Sequence, residues 1–216
     1  MTSILLTGFE PFCESTTNPS WQALERAAAR WPGPETLHIA ELPVVFGECA
    51  EAIHTLIRHH RPDLVIAVGQ AGGRAQITPE RIAINVDDAR IPDNAGAQPI
   101  DVPIVVDGPA AYFSTLPIKA AVEAMRQRDI PAAVSNSAGT YVCNHIFYAI
   151  MHEFACDFPA TRGGFVHVPF TPDQVADANT AQPSLSLDLI TEGLLTIIRT
   201  SLDTPGDLAI SGGTEH

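Results

Sequence analysis

Along the chain, short unbroken apolar runs alternate with longer stretches whose apolar residues recur every three or four positions. The first pattern predicts strands buried on both faces, the second amphipathic helices. Ile4 to Phe9 is an apolar run and reads as a central strand. Asn18-Pro19-Ser20 opens a helix over Trp21 to Trp31, and Pro32-Gly33-Pro34 stops it. Leu37 to Pro43 is a second strand. Glu48 to His60 is a helix with Ala52, Ile53, Leu56 and Ile57 on its apolar face, and its basic end, Arg58-His59-His60-Arg61-Pro62, suits the negative end of the helix dipole. Leu64 to Val68 is a third strand, closing in Gly69-Gln70-Ala71-Gly72-Gly73, and Ile82 to Val86 reads as another. From Asp87 to Pro109 the periodicity lapses into Asp, Pro and Gly, a long excursion of the kind that compact domains keep for function. Leu116 to Arg128 is a helix, Pro131 to Val134 a strand, and a helix with Ile146, Phe147, Ile150, Met151 and Phe154 runs to about Phe158. Gly164 to Val168 is a strand and Leu185 to Ser201 the last helix. The alternation predicts an α/β fold: a single domain over residues 1–202, with a mostly parallel twisted sheet and helices on both faces. A Gly/Pro-rich polar tail, residues 203–216, is expected to be flexible.

Composition removes several classes of function. A hydrophobic content of 45% over 216 residues can build a sizeable core, and a net charge of −13 argues against nucleic-acid binding and against anionic membrane surfaces. No apolar stretch reaches the roughly 18 residues needed to span a bilayer. The N-terminus passes straight into the Ile4-Leu5-Leu6 strand without a basic segment or cleavage site, so no signal peptide is expected. Cys13, Cys49, Cys143 and Cys156 form neither a CxxC pair nor a regular framework. Free thiols in a reducing cytoplasm are the simplest reading.

The chemistry gathers around Cys143. It lies in Ser135-Asn136-Ser137-Ala138-Gly139-Thr140-Tyr141-Val142-Cys143-Asn144-His145, where a strand passes through small residues into a helix. The helix start offers unpaired N–H groups and the positive dipole end, an environment that lowers a thiol pKa and exposes a thiolate nucleophile. The bland alternative is a small apolar residue in a buried helix. A cysteine nucleophile needs a base, and usually a third group that orients the base. His38 reads as structural, His54, His59 and His60 as a solvated face, and His216 as terminal; His145 and His152 share the cysteine helix, His145 too close in sequence to reach back. His167 follows Gly164-Phe165-Val166 at a strand's C-terminal edge, where open α/β sheets place ligand chemistry. Glu80 almost directly precedes an apolar strand and is the candidate carboxylate, with an ion pair to a cation such as Arg81 as the competing reading. Arg90 either aims a cation at developing charge or pairs with Asp87 or Asp88. The loop Gly69–Arg74 lacks the spacing of a phosphate cradle, and no metal-ligand spacing appears, so no metal or cofactor is implied.

Taken together, these segments resemble the pyroglutamyl peptidase I family of cysteine peptidases. The resemblance is carried by Gly8-Phe9-Glu10-Pro11-Phe12, Asn18-Pro19-Ser20-Trp21, Gly69-Gln70-Ala71-Gly72-Gly73-Arg74 and Glu80-Arg81-Ile82-Ala83-Ile84-Asn85. It continues through Asp87-Asp88-Ala89-Arg90-Ile91-Pro92-Asp93-Asn94, Ala110-Ala111-Tyr112, Leu116-Pro117, Ser137-Ala138-Gly139-Thr140 with Val142-Cys143-Asn144, and Gly164-Phe165-Val166-His167-Val168-Pro169. All but the C-terminal region is covered, in family order. The resemblance implies an α/β fold, a cytoplasmic homotetramer, and removal of N-terminal pyroglutamate from peptides. By position it makes Cys143 the nucleophile, His167 the base and Glu80 its orienting partner, puts Arg90 beside the oxyanion site, and puts Phe9, Phe12, Asn18, Gln70, Tyr141 and Val142 around the substrate. Cys13 departs from a usual glycine and is expected to alter the loop under the pocket. Tyr141 departs from a common phenylalanine and is expected to add a hydroxyl near the substrate ring.

Pyroglutamate is a neutral lactam with one N–H donor and one C=O acceptor, so its pocket needs apolar walls and a few placed polar groups rather than a carboxylate. Phe9 and Phe12 can supply walls; ordinary core packing is their competing reading. A nucleoside phosphorylase would need cationic phosphate ligands, in which this chain is poor. A catalytically dead lactam-binding protein would have no need of Cys143, His167 and Glu80 together.

Overall fold

The computed structural model describes residues 2–13, 15–176 and 181–213. In chain order, β1 (Ser3–Phe9) leads into α1 (Pro19–Arg30), β2 (Thr36–Leu42), α2 (Glu48–His60) and β3 (Leu64–Gln70). β4 (Thr78–Pro79), β5 (Ile82–Ile84) and β6 (Ala111–Phe113) follow. Then come α3 (Ile118–Arg126), α4 (Val142–Cys156), β7 (Arg162–Val168), the single-turn α5 (Pro172–Val175) and α6 (Leu187–Asp203). The sheet order is β2-β1-β3-β7-β4; every pairing is parallel except that of the short β4 with β7.

β1, β3 and β7 are mostly apolar because both of their faces are covered. Alternate side chains divide between two cores. Ile4, Leu6, Ile66, Val68, Val166 and Val168 pack under α1, α3 and α6. Leu5, Val65, Ala67 and Phe165 pack under α2 and α4. The expected α/β architecture, a mostly parallel sheet with helices on both faces, is therefore what the chain forms. No helix among the described residues is long and apolar enough to cross a membrane.

Three expectations change. The run from Ile82 does not join the central sheet: β5 pairs antiparallel with β6 in a separate ribbon packed against α4. The strand expected at Pro131 to Val134 survives only as isolated parallel bridges, Ile77 with Ala132 and Glu80 with Ser135. The cause is covalent, since Pro79 has no N–H to donate to the ladder between those two bridges. The C-terminal segment, expected to be loose, is tied down over its described part. Asp207 accepts from the amides of Lys119 and Ala120, each at 3.0 Å, capping α3 where Pro117 cannot, and Arg81 donates to the carbonyl of Gly212.

The excursion after β5 folds back on itself and across the strand ends. Asp87 exchanges backbone hydrogen bonds with Val102, and the Asp93 carboxylate accepts from the amides of Phe46, Ala95 and Ala97. At the other side of this edge, a Cβ on Gly8 would meet the Trp21 backbone at 2.8 Å, so only glycine lets the start of α1 sit against the end of β1.

Candidate active site

The carboxyl ends of β3 and β7 lie side by side, with Gly69 opposite His167 in register. Just beyond β4, the amide of Glu80 donates to the carbonyl of Phe165, which turns the Glu80 side chain toward His167. His167 Nδ1 stands 2.7 Å from Glu80 Oε1, and both residues are buried, Glu80 completely. α4 brings Cys143 to the same place: a Cβ on Gly69 would sit 2.8 Å from Cys143 Sγ. The thiol thus occupies the space that a missing side chain leaves, directly over the β3–β7 edge.

A residue that the sequence did not single out completes the cluster. Arg74 Nη1 donates to Glu80 Oε1 at 2.7 Å and to the Thr78 hydroxyl, and Nη2 reaches the Ser137 carbonyl at 3.3 Å in the loop leading to Cys143. The cation beside Glu80 is therefore Arg74, not Arg81, whose guanidinium binds the Asn136 side chain at 2.8 Å and the C-terminal segment. Both readings of Glu80, ion pair and histidine partner, hold at once, because a carboxylate oxygen has two lone pairs.

Electrostatics set the resting proton positions. Burial acts to raise the Glu80 carboxyl, but the bond from His167, that residue's charge and the Arg74 cation outweigh it and hold the group below the usual carboxylate range. Burial holds His167 below an ordinary imidazole, against the pull of Glu80 and with the help of Arg74. Burial also pushes the Cys143 thiol up to about 12, seconded by the negative charge of Glu80 and opposed by Arg74. The direction is opposite to the lowering expected from the helix start. Cys143 is half-buried in the first turn of its helix, where the helix dipole contributes about 0.3–1 kcal/mol and withdrawal of the sulfur from water acts in the opposite sense. Both shifts favour the uncharged forms, the thiol and the neutral imidazole.

A small cavity opens at Cys143, lined by Phe9, Phe12, Asn18, Val44, Gln70, Tyr141 and Val142. The structure thus brings all six expected pocket residues together with the cysteine; Val44 had no motif to mark it. Phe9 is packed against Phe165 with ring centroids 6.4 Å apart. Asn18 has a second duty: its side-chain oxygen accepts from the Ser20 amide at 3.1 Å to cap α1, and its nitrogen donates to the Glu10 carbonyl at 2.9 Å. The Tyr141 hydroxyl donates to the Pro92 carbonyl at 3.0 Å, so the extra oxygen fastens the excursion to the loop before Cys143. Cys13 is exposed at φ 56°, in the left-handed region that favours glycine.

Arg90 is exposed on the excursion, and neither Asp87 nor Asp88 pairs with it. Asp87 is taken by His145, Nδ1 to Oδ2 at 2.8 Å, while His145 Nε2 accepts from the Gly47 amide at 3.2 Å. That backbone donor fixes the histidine tautomer and makes this second histidine–carboxylate pair a brace between α4, the excursion and the start of α2. His38 stacks on His60 at 3.8 Å, away from the cluster, and His216 lies outside the described residues. Among the described residues no group of three or more His, Cys, Asp or Glu side chains is arranged to hold a metal ion.

The sequence profile of the family described as pyroglutamyl peptidase matches residues 2–204. The chain is 53% identical to the pyrrolidone-carboxylate peptidase of Streptomyces coelicolor and 54% identical to that of Cupriavidus taiwanensis, each alignment covering 100% of both proteins. Among solved structures it is similar to the pyroglutamyl peptidase I of Bacillus amyloliquefaciens, with a TM-score of 0.92 and 47% identity over 96% of this chain and 100% of the other. It is also similar to a mutant pyrrolidone carboxyl peptidase of Pyrococcus furiosus, with a TM-score of 0.90 and 40% identity over 94% and 99%.

Proposed function

We propose that this chain, which belongs to the pyroglutamyl peptidase family, removes N-terminal pyroglutamate from peptides with Cys143 as nucleophile, His167 as acid–base and Glu80 as the group that holds the base. The observation that carries the residue roles is the contact of His167 Nδ1 with a fully buried, cation-paired carboxylate, at the sheet edge where Cys143 Sγ fills the space over Gly69.

The steps follow from the proton inventory. Glu80 keeps the Nδ1–H tautomer, so Nε2 of the neutral imidazole is free to take the thiol proton as sulfur attacks the carbonyl of the pyroglutamyl residue. Negative charge then develops on that oxygen. The amides of Val142 and Cys143, in the first turn of α4, have no acceptor among the described residues and can stabilise it. Collapse of the adduct breaks the C–N bond, and the imidazolium returns its proton to the departing amine. Water, deprotonated by His167, cleaves the thioester, releasing pyroglutamate and restoring the thiol. By its position in the family's motif, Arg90 is assigned to supply positive potential beside the oxyanion.

The cavity suits the substrate. Its walls are Phe9, Phe12, Val44 and Tyr141, and it offers no carboxylate for a free amine. The four free cysteines are in keeping with a reducing cytoplasm. Exposed Ile100, Val102, Val106 and Phe113, on and beside the excursion, support an assembly of copies, read here as a homotetramer. The direct test is release of a chromophore from a pyroglutamyl amide, with a prolyl amide as control. Equal turnover of the two would overturn the lactam pocket.

A further inference from the structure

Resting on that reading, we infer that Gln174, on α5 and outside every motif discussed above, is a specificity-positioning residue: it turns the Gln70 amide so that its NH2 group faces the cavity and donates to the ring carbonyl of the pyroglutamyl residue.

Side-chain amides carry an oxygen that only accepts and a nitrogen that only donates, and which end points where is decided by the surrounding bonds. Here the chain of bonds starts from a group with no freedom. The backbone N–H of Thr171 stands 3.0 Å from Gln174 Oε1, as half of a capping box at the start of α5. An amide hydrogen can only donate, so that end of Gln174 is its oxygen; the Thr171 hydroxyl adds a second bond to it at 3.2 Å. The nitrogen of Gln174 therefore faces the other way, toward Gln70 at 2.8 Å and the Thr17 carbonyl at 3.4 Å. Gln70 must then present its oxygen to Gln174. Its own NH2 group has no partner among the described residues, and Gln70 lines the cavity that holds Cys143. A donor with no protein acceptor in a largely apolar cavity calls for an acceptor on the ligand. Apart from the reacting carbonyl, the pyroglutamyl residue carries one, the lactam oxygen. The Thr17 bond brings in a second lining segment, since Thr17 directly precedes Asn18. Gln174 thus bonds to both segments without itself lining the cavity.

Two variants test this. Gln174→Met keeps the length of the side chain and removes both ends of the relay, freeing Gln70 to rotate. Gln174→Glu keeps the capping oxygen but has no N–H, so Gln70 must flip its NH2 toward the new carboxylate and its oxygen toward the cavity. On a chromogenic pyroglutamyl amide the expected result is a rise in KM of about tenfold for the first, corresponding to one lost hydrogen bond, and a larger rise for the second, with kcat within a few-fold of wild type. The same two substitutions in a Gln70→Met background should change KM less than twofold, because nothing remains for Gln174 to orient. Competitive inhibition by 2-pyrrolidone and by 2-pyrrolidinethione, whose sulfur accepts poorly, reports the same contact: the preference for the oxygen compound should shrink in both single variants. Equal KM effects with and without Gln70, or an unchanged preference between the two inhibitors, would overturn the role of Gln174 in an enzyme that cleaves the substrate. A wild-type protein that released no chromophore would overturn the functional reading and this inference with it.

Discussion

Replacing Gly69 with alanine isolates the closest approach in the site. The new Cβ would lie 2.8 Å from Cys143 Sγ, 2.8 Å from Phe165 Cζ and 3.2 Å from Phe165 Cε1. Ordinary carbon contacts are about 3.5–4.0 Å, so both neighbours are overlapped by about 0.7 Å or more. Phe165 has little room to retreat, being fully buried among Phe9, Phe147 and His167. The cysteine must give way, carrying the sulfur off the β3–β7 edge. Overpacking of this kind costs about 1–3 kcal/mol of stability, and a misplacement approaching 1 Å costs about 10²-fold in rate. The backbone at Gly69 is not in the left-handed region, so alanine adds no dihedral strain that would blur the result. The measurements are thermal melting, kcat/KM on a pyroglutamyl amide, and the rate of iodoacetamide alkylation at Cys143. Gly206→Ala, whose added Cβ would meet nothing within 4 Å, serves as a control and should match wild type in all three. A folded Gly69→Ala protein with wild-type kcat/KM would refute the placement of the sulfur over Gly69.

Cys143→Ser should lose about 10³-fold or more in turnover while melting like wild type; near-normal turnover would remove Cys143 from the mechanism. Because catalysis needs neutral His167 and burial holds its pKa down, the acid limb of kcat/KM should lie below the ordinary imidazole value of about 6.5. The two charges beside it act in opposite senses: removing the cation in Arg74→Met should move that limb to higher pH, and removing the anion in Glu80→Gln should move it to lower pH, with activity reduced in both. Shifts in the same direction, read from the pH profiles, would contradict the arrangement. Pyroglutamyl amides should be preferred over prolyl amides by about 10⁴-fold in kcat/KM, since the prolyl ring lacks the carbonyl and brings a cation into an apolar cavity; a ratio near one would exclude a lactam pocket.

The sheet and its helices were legible because burial on both faces leaves unbroken apolar runs in β1, β3 and β7, and because single-face burial leaves helical periodicity elsewhere. What escaped is instructive in its physics. The strand expected at Pro131 fails through its neighbour's Pro79, since a ladder needs donors from both chains. Arg81 adjoins Glu80 in sequence, yet consecutive residues in extended backbone point to opposite faces, so the carboxylate meets Arg74 from a loop instead. A sequence displays the helix start at Cys143 but not how far its sulfur is withdrawn from water, and the two act on the thiol in opposite senses. Asp87 with His145, and Gln174 with Gln70, are single polar pairs bridging distant segments, for which no local pattern exists. His167 stands apart from the other histidines only where its strand-edge position and the family's motif coincide; neither alone separates it from them.

The position of β7 bears on how this protein is made. It is the last strand in sequence, yet it is inserted between β3 and β4, and its partners on β3 precede it by roughly a hundred residues. A nascent chain that has emerged only as far as α4 carries Cys143 but not His167. The same chain carries β3, Leu64–Gln70, as an open edge that is apolar up to Gly69, the kind of surface that recruits foreign strands. Truncation or stalling before Arg162 is thus a hazard of aggregation, and chaperone demand during synthesis should fall once β7 has docked.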